Sequence, residues 1–360
     1  MRNPILYAAF VTLVVMGGNA HAEEDGLDIV KREFLGIMKE HGWKDTRIGL
    51  LTGSEELFEI RDFTASRPGT DGKPEVIKIG VLTVDKLSPE ERWTRAESLR
   101  AENVKIVVGG NEIDLGVIYS KKPGILDVDS SSPSLEFENL ILSKALWVRG
   151  GVSFADIEQM YLSADNWVGG YGVPGRLDAT VKGSVAMPGA SGGVLLPGEF
   201  ALKTNVSASR DELSVVAAYK MPGASWTASA TLNNFDRNLF RTWFDRNNPE
   251  AERTPEDEKA LEEAFAKEVG EVGLTKFEVK GNGDGQVVDP LFATASTVAQ
   301  LWLPKVAGGS TEALLNLFKI YAAKPEAFGV SGYARDGVPV VDILHGKESP
   351  MSRFRYTVAR

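Results

Sequence analysis

The chain contains no cysteine and only three histidines, His21, His41 and His345. The first absence excludes disulfides, thiolate nucleophiles, iron–sulfur clusters and every cysteine-based zinc site. The second leaves too few imidazoles for a multi-histidine metal centre. Positive charge is in deficit: 40 Lys and Arg stand against 50 Asp and Glu in 360 residues, for a net charge of −10 and a pI near 5.1. That balance argues against a chain whose main task is to hold nucleic acid or an anionic membrane surface. No phosphate-binding loop, dinucleotide fingerprint or kinase signature occurs, and no cofactor is expected. What is present, 43% hydrophobic and 25% charged residues, is the composition of a folded globular protein.

The N-terminus carries an export signal. Arg2 forms a basic start, Ile5–Met16 is apolar apart from Thr12, and Ala20-His21-Ala22 is a small-x-small cleavage site. The apolar run falls well short of the roughly 20 residues needed to span a bilayer, so no stable transmembrane anchor is expected after cleavage behind Ala22. No cysteine follows the cleavage point for lipid attachment, and no twin arginine precedes it. Cleavage removes Arg2 and His21, leaving a more acidic mature protein. The expected destination is the periplasm of a Gram-negative bacterium. A chain of this length can bury enough surface to fold there without disulfides.

Along the mature chain, Ile29, Val30, Phe34, Ile37 and Met38 recur at helical spacing over 26–42, with Gly42 as the stop. Strands are expected at Glu56–Phe63, Glu75–Val84, Ala101–Val108, Glu112–Tyr119, Ser134–Leu142 and Ala145–Arg149, with Gly109-Gly110-Asn111 a hairpin turn. Ser88-Pro89-Glu90-Glu91 resembles a capping box opening a short helix, and Ser153-Phe154-Ala155-Asp156 a second N-cap leading to Leu162. Four consecutive segments then show period-two patterning: Arg176–Ala186, Glu199–Ser209, Glu212–Lys220 and Trp226–Leu232. That is the pattern of an antiparallel sheet solvated on one face.

Helix is expected at Asp236–Arg246, again from the Thr254-Pro255-Glu256-Asp257 cap to Val269, and after Ser310. Strands at Thr275–Lys280, Val330–Tyr333, Val338–Leu344 and Phe354–Val358 close the chain. The expected fold is α+β: an extended, mostly antiparallel amphipathic sheet, helices packed on one face, and a C-terminal helix–strand unit. After the signal at 1–22, a single domain is expected over 23–360, β-rich over 45–235, with a helical insertion at 236–270 and closure at 271–360. Two echoes point to repeated strand–turn units: Met187–Ser191 recurs as Met221–Ser225, and Leu99–Val104 as Leu135–Leu140.

Two groups of residues look like chemistry, and one histidine has a structural reading. Gly189-Ala190-Ser191-Gly192-Gly193 matches the nucleophile-elbow pattern, and the order Ser191, then Asp245, Asp289 or Asp342, then His345 permits a hydrolase triad. Flanking Pro188 and Pro197 and a following strand favour a hairpin turn instead. Asn282-Gly283-Asp284-Gly285 with Asp289 is reminiscent of a calcium loop, although the ligand register of a helix–loop–helix site fails. His41 sits at a helix C-terminus, where an imidazolium complements the dipole.

The C-terminal sequence, with an amphipathic helix over Leu314–Phe328, a Pro turn and then Tyr333–Leu344, resembles uncharacterised proteobacterial exported proteins. The reused strands Leu99–Val104 and Leu135–Leu140 add to that likeness. Through them the chain is distantly similar to AsmA-type and lipoprotein-carrier-type envelope proteins. The resemblance implies a curved sheet that shields acyl chains, and it assigns no residue a role. The leading expectation is a non-enzymatic envelope protein that binds an apolar or lipid-like ligand or scaffolds an envelope complex. A secreted serine hydrolase using Ser191 and His345 is the alternative. A calcium-dependent adhesion or matrix module using Asn282, Asp284 and Asp289 is the second.

Overall fold

The computed structural model describes residues 26–40, 42–54, 56–69, 72–89, 93–126, 134–165, 174–186, 195–207, 211–236, 254–283, 328–340, 342 and 353–359. They fall into two compact units, one within Met1–Pro174 and Ala179–Pro197, the other within Gly175–Asp178 and Gly198–Arg360.

The first unit opens with helix α1, Gly26–Glu40. Leu27, Val30, Phe34 and Met38 recur three or four residues apart and share one stripe. The helix ends in a left-handed turn at Gly42, φ 77°. There Trp43 donates its backbone N–H to Met38 O and Gly42 donates to Lys39 O, each at 2.9 Å. Glycine at this position avoids the Cβ penalty of that conformation.

Strands follow as β1 (Lys44–Arg47), β2 (Leu50–Gly53), β3 (Leu57–Pro68), β4 (Pro74–Asp85), β5 (Ser88–Pro89) and β6 (Trp93–Arg95). Next come β7 (Ser98–Val108), β8 (Asn111–Lys121), β9 (Gly124–Leu126), β10 (Ser134–Glu136), β11 (Asn139–Arg149), β12 (Val152–Asp165) and β13 (Arg176–Ala186). The main sheet runs β1-β3-β4-β7-β8-β11-β12-β13, with β2 also on β3, and a small second sheet runs β10-β9-β6-β5. The β7–β8 hairpin turns through Gly109–Gly110 as the sequence predicts, and Asn111 Nδ2 braces it by donating to Val108 O at 3.2 Å.

The second unit takes its sheet from most of β14 (Leu195–Ser207), then β15 (Glu212–Met221), β16 (Ala224–Asn233), β17 (Gly273–Gly283), β18 (Phe328–Pro339) and β19 (Arg355–Ala359), adjacent in that order. Between β16 and β17 lies helix α2, Pro255–Glu271. Its capping box is as predicted: the Asp257 backbone N–H donates to Thr254 Oγ1 at 3.2 Å, and the Thr254 N–H donates to Asp257 Oδ2 at 3.1 Å. Thr254→Ala is expected to cost about 1 kcal/mol. A lower urea midpoint with an unchanged m-value would register that loss.

The α+β expectation, with helices packed on one face of the sheet, is overturned: the described chain is nearly all β. Two predicted helices are strands. The capping-box string at 88–91 contributes Ser88–Pro89 to β5, paired with Thr94–Arg95 of β6. The supposed N-cap at Ser153 lies inside β12, which pairs with β11 from Arg149↔Val152 to Asn139↔Ser163. A cap is a local signal worth about 1 kcal/mol, and a ladder of cross-strand pairs outweighs it. The predicted buried stripe on α2 is also absent, since none of its residues is buried and Leu261, Phe265 and Val269 stay half-exposed. Of the predicted strand at Val338–Leu344, Val338 and Pro339 end β18, Val340 and Asp342 are helical, and the rest lies outside the described residues. The predicted helices at Asp236–Arg246 and after Ser310 lie outside the described residues, Asp236 apart. No helix among the described residues is long and apolar enough to cross a membrane.

Candidate functional site

Cross-strand register in the first unit sorts the apolar residues into four rows spanning β3, β4, β7, β8, β11 and β12. The first is Phe58, Val84, Leu99, Ser120, Leu140 and Leu162. The second is Ile60, Leu82, Ala101, Ile118, Leu142 and Met160. The third is Phe63, Ile79, Val104, Leu115, Ala145 and Ile157. The fourth is Ala65, Ile77, Ile106, Ile113, Trp147 and Ala155. Apart from Ser120, every position in these four rows is apolar.

Between the second and third rows the sheet is creased. Asp62, Asn103 and Lys144, evenly spaced along the chain, adopt φ of 52°, 54° and 57°. Each lies across from glycine: Asp62 from Gly49 and Gly80, Asn103 from Gly80 and Gly116, Lys144 from Gly116. A left-handed residue in a strand adds half a pleat, so residues two before it and one after it both face inward. Because facing strands carry the extra residue together, the ladder stays in step on both sides. A cavity of about 600 Å³ opens at the crease, lined by Asn103, Lys105, Asp114, Gly116, Lys144 and Glu158 among others.

The rows are covered at one end and open at the other. Val30, Phe34, Met38 and Trp43 join the core cluster that contains Phe58, Ile60, Phe63, Leu82 and Val104. Phe34 meets Phe63 edge-on at 4.7 Å between ring centroids. Arg67 stacks over the Trp43 ring at 4.5 Å and bonds Glu75 at 2.6 Å, which fastens the end of α1 to β3 and β4. Further along, Leu140, Leu142, Trp147, Ile157, Met160 and Leu162 are only half-buried, although they continue the same rows. Trp147 is held in place by its indole N–H, which donates to Asn111 Oδ1 at 3.1 Å, and by Phe154 at 5.5 Å.

One end of the rows carries a charged rim around a cleft of about 530 Å³. Arg95 and Glu136 approach to 3.5 Å, and Glu138 accepts from Lys121 at 2.7 Å and lies 3.2 Å from Lys122. Burial pushes the Glu136 carboxyl above its ordinary range, only partly offset by Arg95. Hydrogen bonds from Lys121 and Lys122 hold Glu138 below its range. The signs are opposite. Glu138 contributes stability above the unfolded carboxylate pKa of about 4.3 and loses it as pH falls through the lower folded value. Glu136 weakens the fold once ionised, and is relieved as pH falls through its raised value. Glu136→Gln is therefore expected to raise the melting temperature at pH 7 and to change it little near pH 4, as calorimetry at the two pH values would register.

The second unit repeats the one-sided pattern in the strands whose alternation the sequence displays. Leu202, Ala217, Ala228, Val279 and Val330 form one row, and Val206, Leu213, Leu232, Leu274 and Val338 another. Tyr219 stacks on Trp226 at 5.9 Å between centroids, and Phe277 packs edge-on against Phe354 at 5.2 Å.

Of the residues singled out by sequence, Ser191, His345, Asp245, Asp284, Asp289 and His41 lie outside the described residues. Asn282 is exposed on β17, opposite Ser225. Asp342 lies 3.5 Å from Arg353. The second member of the Met-Pro-Gly-Ala-Ser echo is the β15–β16 hairpin turn, with Met221 opposite Ala224. The other echo joins positions that are not equivalent: Asn103 corresponds in the crease to Lys144, whereas Asn139 begins β11. Sequence reasoning missed the open face on β11 and β12. Its signal was the pair Leu140, Leu142 followed, one residue out of phase, by Ala145, Trp147.

Compared with known proteins, the sequence matches no protein-family model and no curated protein.

Proposed function

We propose that this chain is a non-enzymatic, exported envelope protein that holds the apolar part of an amphiphile against the inner face of β11 and β12. One observation carries the reading: the core rows that α1 covers on β3, β4 and β7 continue, still apolar, onto half-exposed positions. Apolar surface left at the end of an otherwise sealed core is costly unless something covers it. A ligand of indefinite length suits rows with no polar group among them on these two strands. The signal pattern read at 1–22 supports a periplasmic setting for such a task, with processing behind Ala22. Native mass spectrometry of the protein purified from the periplasm is the test. An organic-extractable adduct is expected, and its removal should redden the part of the tryptophan emission that Trp147→Phe abolishes. An adduct-free protein in which that part of the emission ignores added monomyristoylglycerol would sink the proposal.

A further inference from the structure

The outer face of the same strands carries an aromatic row. Register sets Arg100 of β7, Tyr119 of β8, Ile141 of β11 and Tyr161 of β12 side by side. Each is the chain neighbour of an inward residue, Ala101, Ile118, Leu142 or Met160, and so points away from the apolar rows. A sheet that packs on one face alone carries polar residues on the other. Here two tyrosines flank an isoleucine instead, and Tyr161 is 39% exposed. Its hydroxyl donates to Asn139 Oδ1 at 2.8 Å. Asn139 lies two residues along β11 from Ile141, the residue directly opposite Tyr161. That diagonal bond lays the ring down along the sheet, with one aromatic face turned to solvent. Polar groups border the row: Lys121, Asn139 and Ser163 on one side, Ser143 and Gln159 on the other. Asn139 Nδ2, Ser143 Oγ and the Gln159 amide engage no hydrogen-bond partner among the described residues. The charges are closed as pairs, Arg100 with Glu102 at 2.6 Å and Lys121 with Glu138 at 2.7 Å.

We infer that this outer row binds a single chain of an uncharged polysaccharide with β-1,4-linked pyranose rings, one ring on Tyr161, the next over Ile141 and the third on Tyr119. The two tyrosines stand two strands apart, about 10 Å, which is about the advance of two rings in an extended β-1,4-linked chain. The axial C–H groups on the face of such a ring form an apolar, slightly positive surface, which the electron-rich face of an aromatic ring attracts. Hydroxyls at the ring edge need donors and acceptors, and the amide and hydroxyl side chains of Asn139, Ser143 and Gln159 supply both. Charge decides against the other polymers. A nucleic acid or an acidic peptide requires cations free to meet its anions, and both cations beside the row are already paired. Strand twist turns the second tyrosine against the first by roughly 40–50°. A free chain follows that turn by rotating at its linkages, whereas a flat crystalline surface does not.

Isothermal titration of the full mature chain with chitotetraose, cellotetraose and maltotetraose is the test. A β-1,4-linked probe is expected to bind, and maltotetraose, whose α-1,4 linkages curl the chain, to bind at least about tenfold more weakly. Whichever of chitotetraose and cellotetraose binds tighter tells a hexosamine glycan from a hexose polymer. Tyr161→Ala should lower the affinity about fivefold, the size of one aromatic contact, and Tyr161→Phe, which keeps the ring, should lower it less. Raising the salt from about 0.05 to about 0.5 M should leave it unchanged, because no ion pair forms with the ligand. Binding of no probe, equal binding of all three, an affinity that ignores Tyr161→Ala, or one that falls with salt would each overturn the inference. Monomyristoylglycerol binding on the inner face is expected to ignore Tyr161→Ala, so either reading can fail without the other. The comparison of probes on the unaltered chain stands even if the variant fails to fold.

Discussion

Gly116→Val is expected to destabilise the first unit by about 3 kcal/mol or more, whereas Lys144→Gly is expected to stabilise it by about 1 kcal/mol. Both changes act on the same contact. A Cβ built on Gly116 comes within 2.8 Å of Ser143 O and 3.0 Å of Lys144 Cβ. The first of these is backbone held by the β8–β11 ladder, so relief requires moving a strand and not a side chain. Lys144 pays the opposite kind of penalty, since a non-glycine residue at φ 57° carries about 1–2 kcal/mol of strain that glycine does not. Greater freedom in the unfolded chain subtracts some of the gain. Paired urea denaturation curves would measure both shifts. Destabilisation by both substitutions alike would mean that the crease is set by the Lys144 side chain and not by backbone clearance.

The crease also explains what could and could not be read from sequence. Where alternation stays in one phase the strands were legible, and in one case to the residue: the stretch Arg176–Ala186, with Leu177, Ala179, Val181 and Gly183 on one side, is β13 as expected. A left-handed residue in mid-strand breaks that count. In β11 the inward set is Leu140 and Leu142, then Ala145 and Trp147, and a period-two template spanning Lys144 sees two short fragments. In β12 the matching shift between Ile157 and Met160 approaches helical spacing, which the Ser153 cap signal reinforced. Helix α1 and the α2 cap were legible because their signals are local: one stripe, one glycine stop, one threonine. Which part of the sheet α1 covers was not, because the cover depends on pairing between residues far apart in the chain. Nor could residue type alone show that Lys86, Glu97, Lys122 and Glu138 stand side by side, since only the backbone bonds between their strands set them in a row.

Leu82→Ala and Leu142→Ala should separate the covered and open ends of one row. Both residues belong to the row that begins at Ile60 and ends at Met160. Leu82 is 0% exposed within the cluster sealed by α1, so its truncation leaves a cavity and is expected to cost about 2–5 kcal/mol. Leu142 is half-buried with solvent already beside it, and its truncation is expected to cost about 1 kcal/mol, because less surface returns to water and no closed void forms. The two strands between them place the residues far enough apart for the losses to be compared independently. Binding should reverse the order. Leu142→Gln with Met160→Gln is expected to leave the fold intact and lower monomyristoylglycerol affinity at least tenfold, since a buried, unpaired amide facing an acyl chain costs about 1–3 kcal/mol. Leu82→Ala should leave that affinity unchanged under folding conditions. If Leu142→Ala instead destabilises as much as Leu82→Ala, the face on β11 and β12 is sealed core, and no amphiphile can reach it.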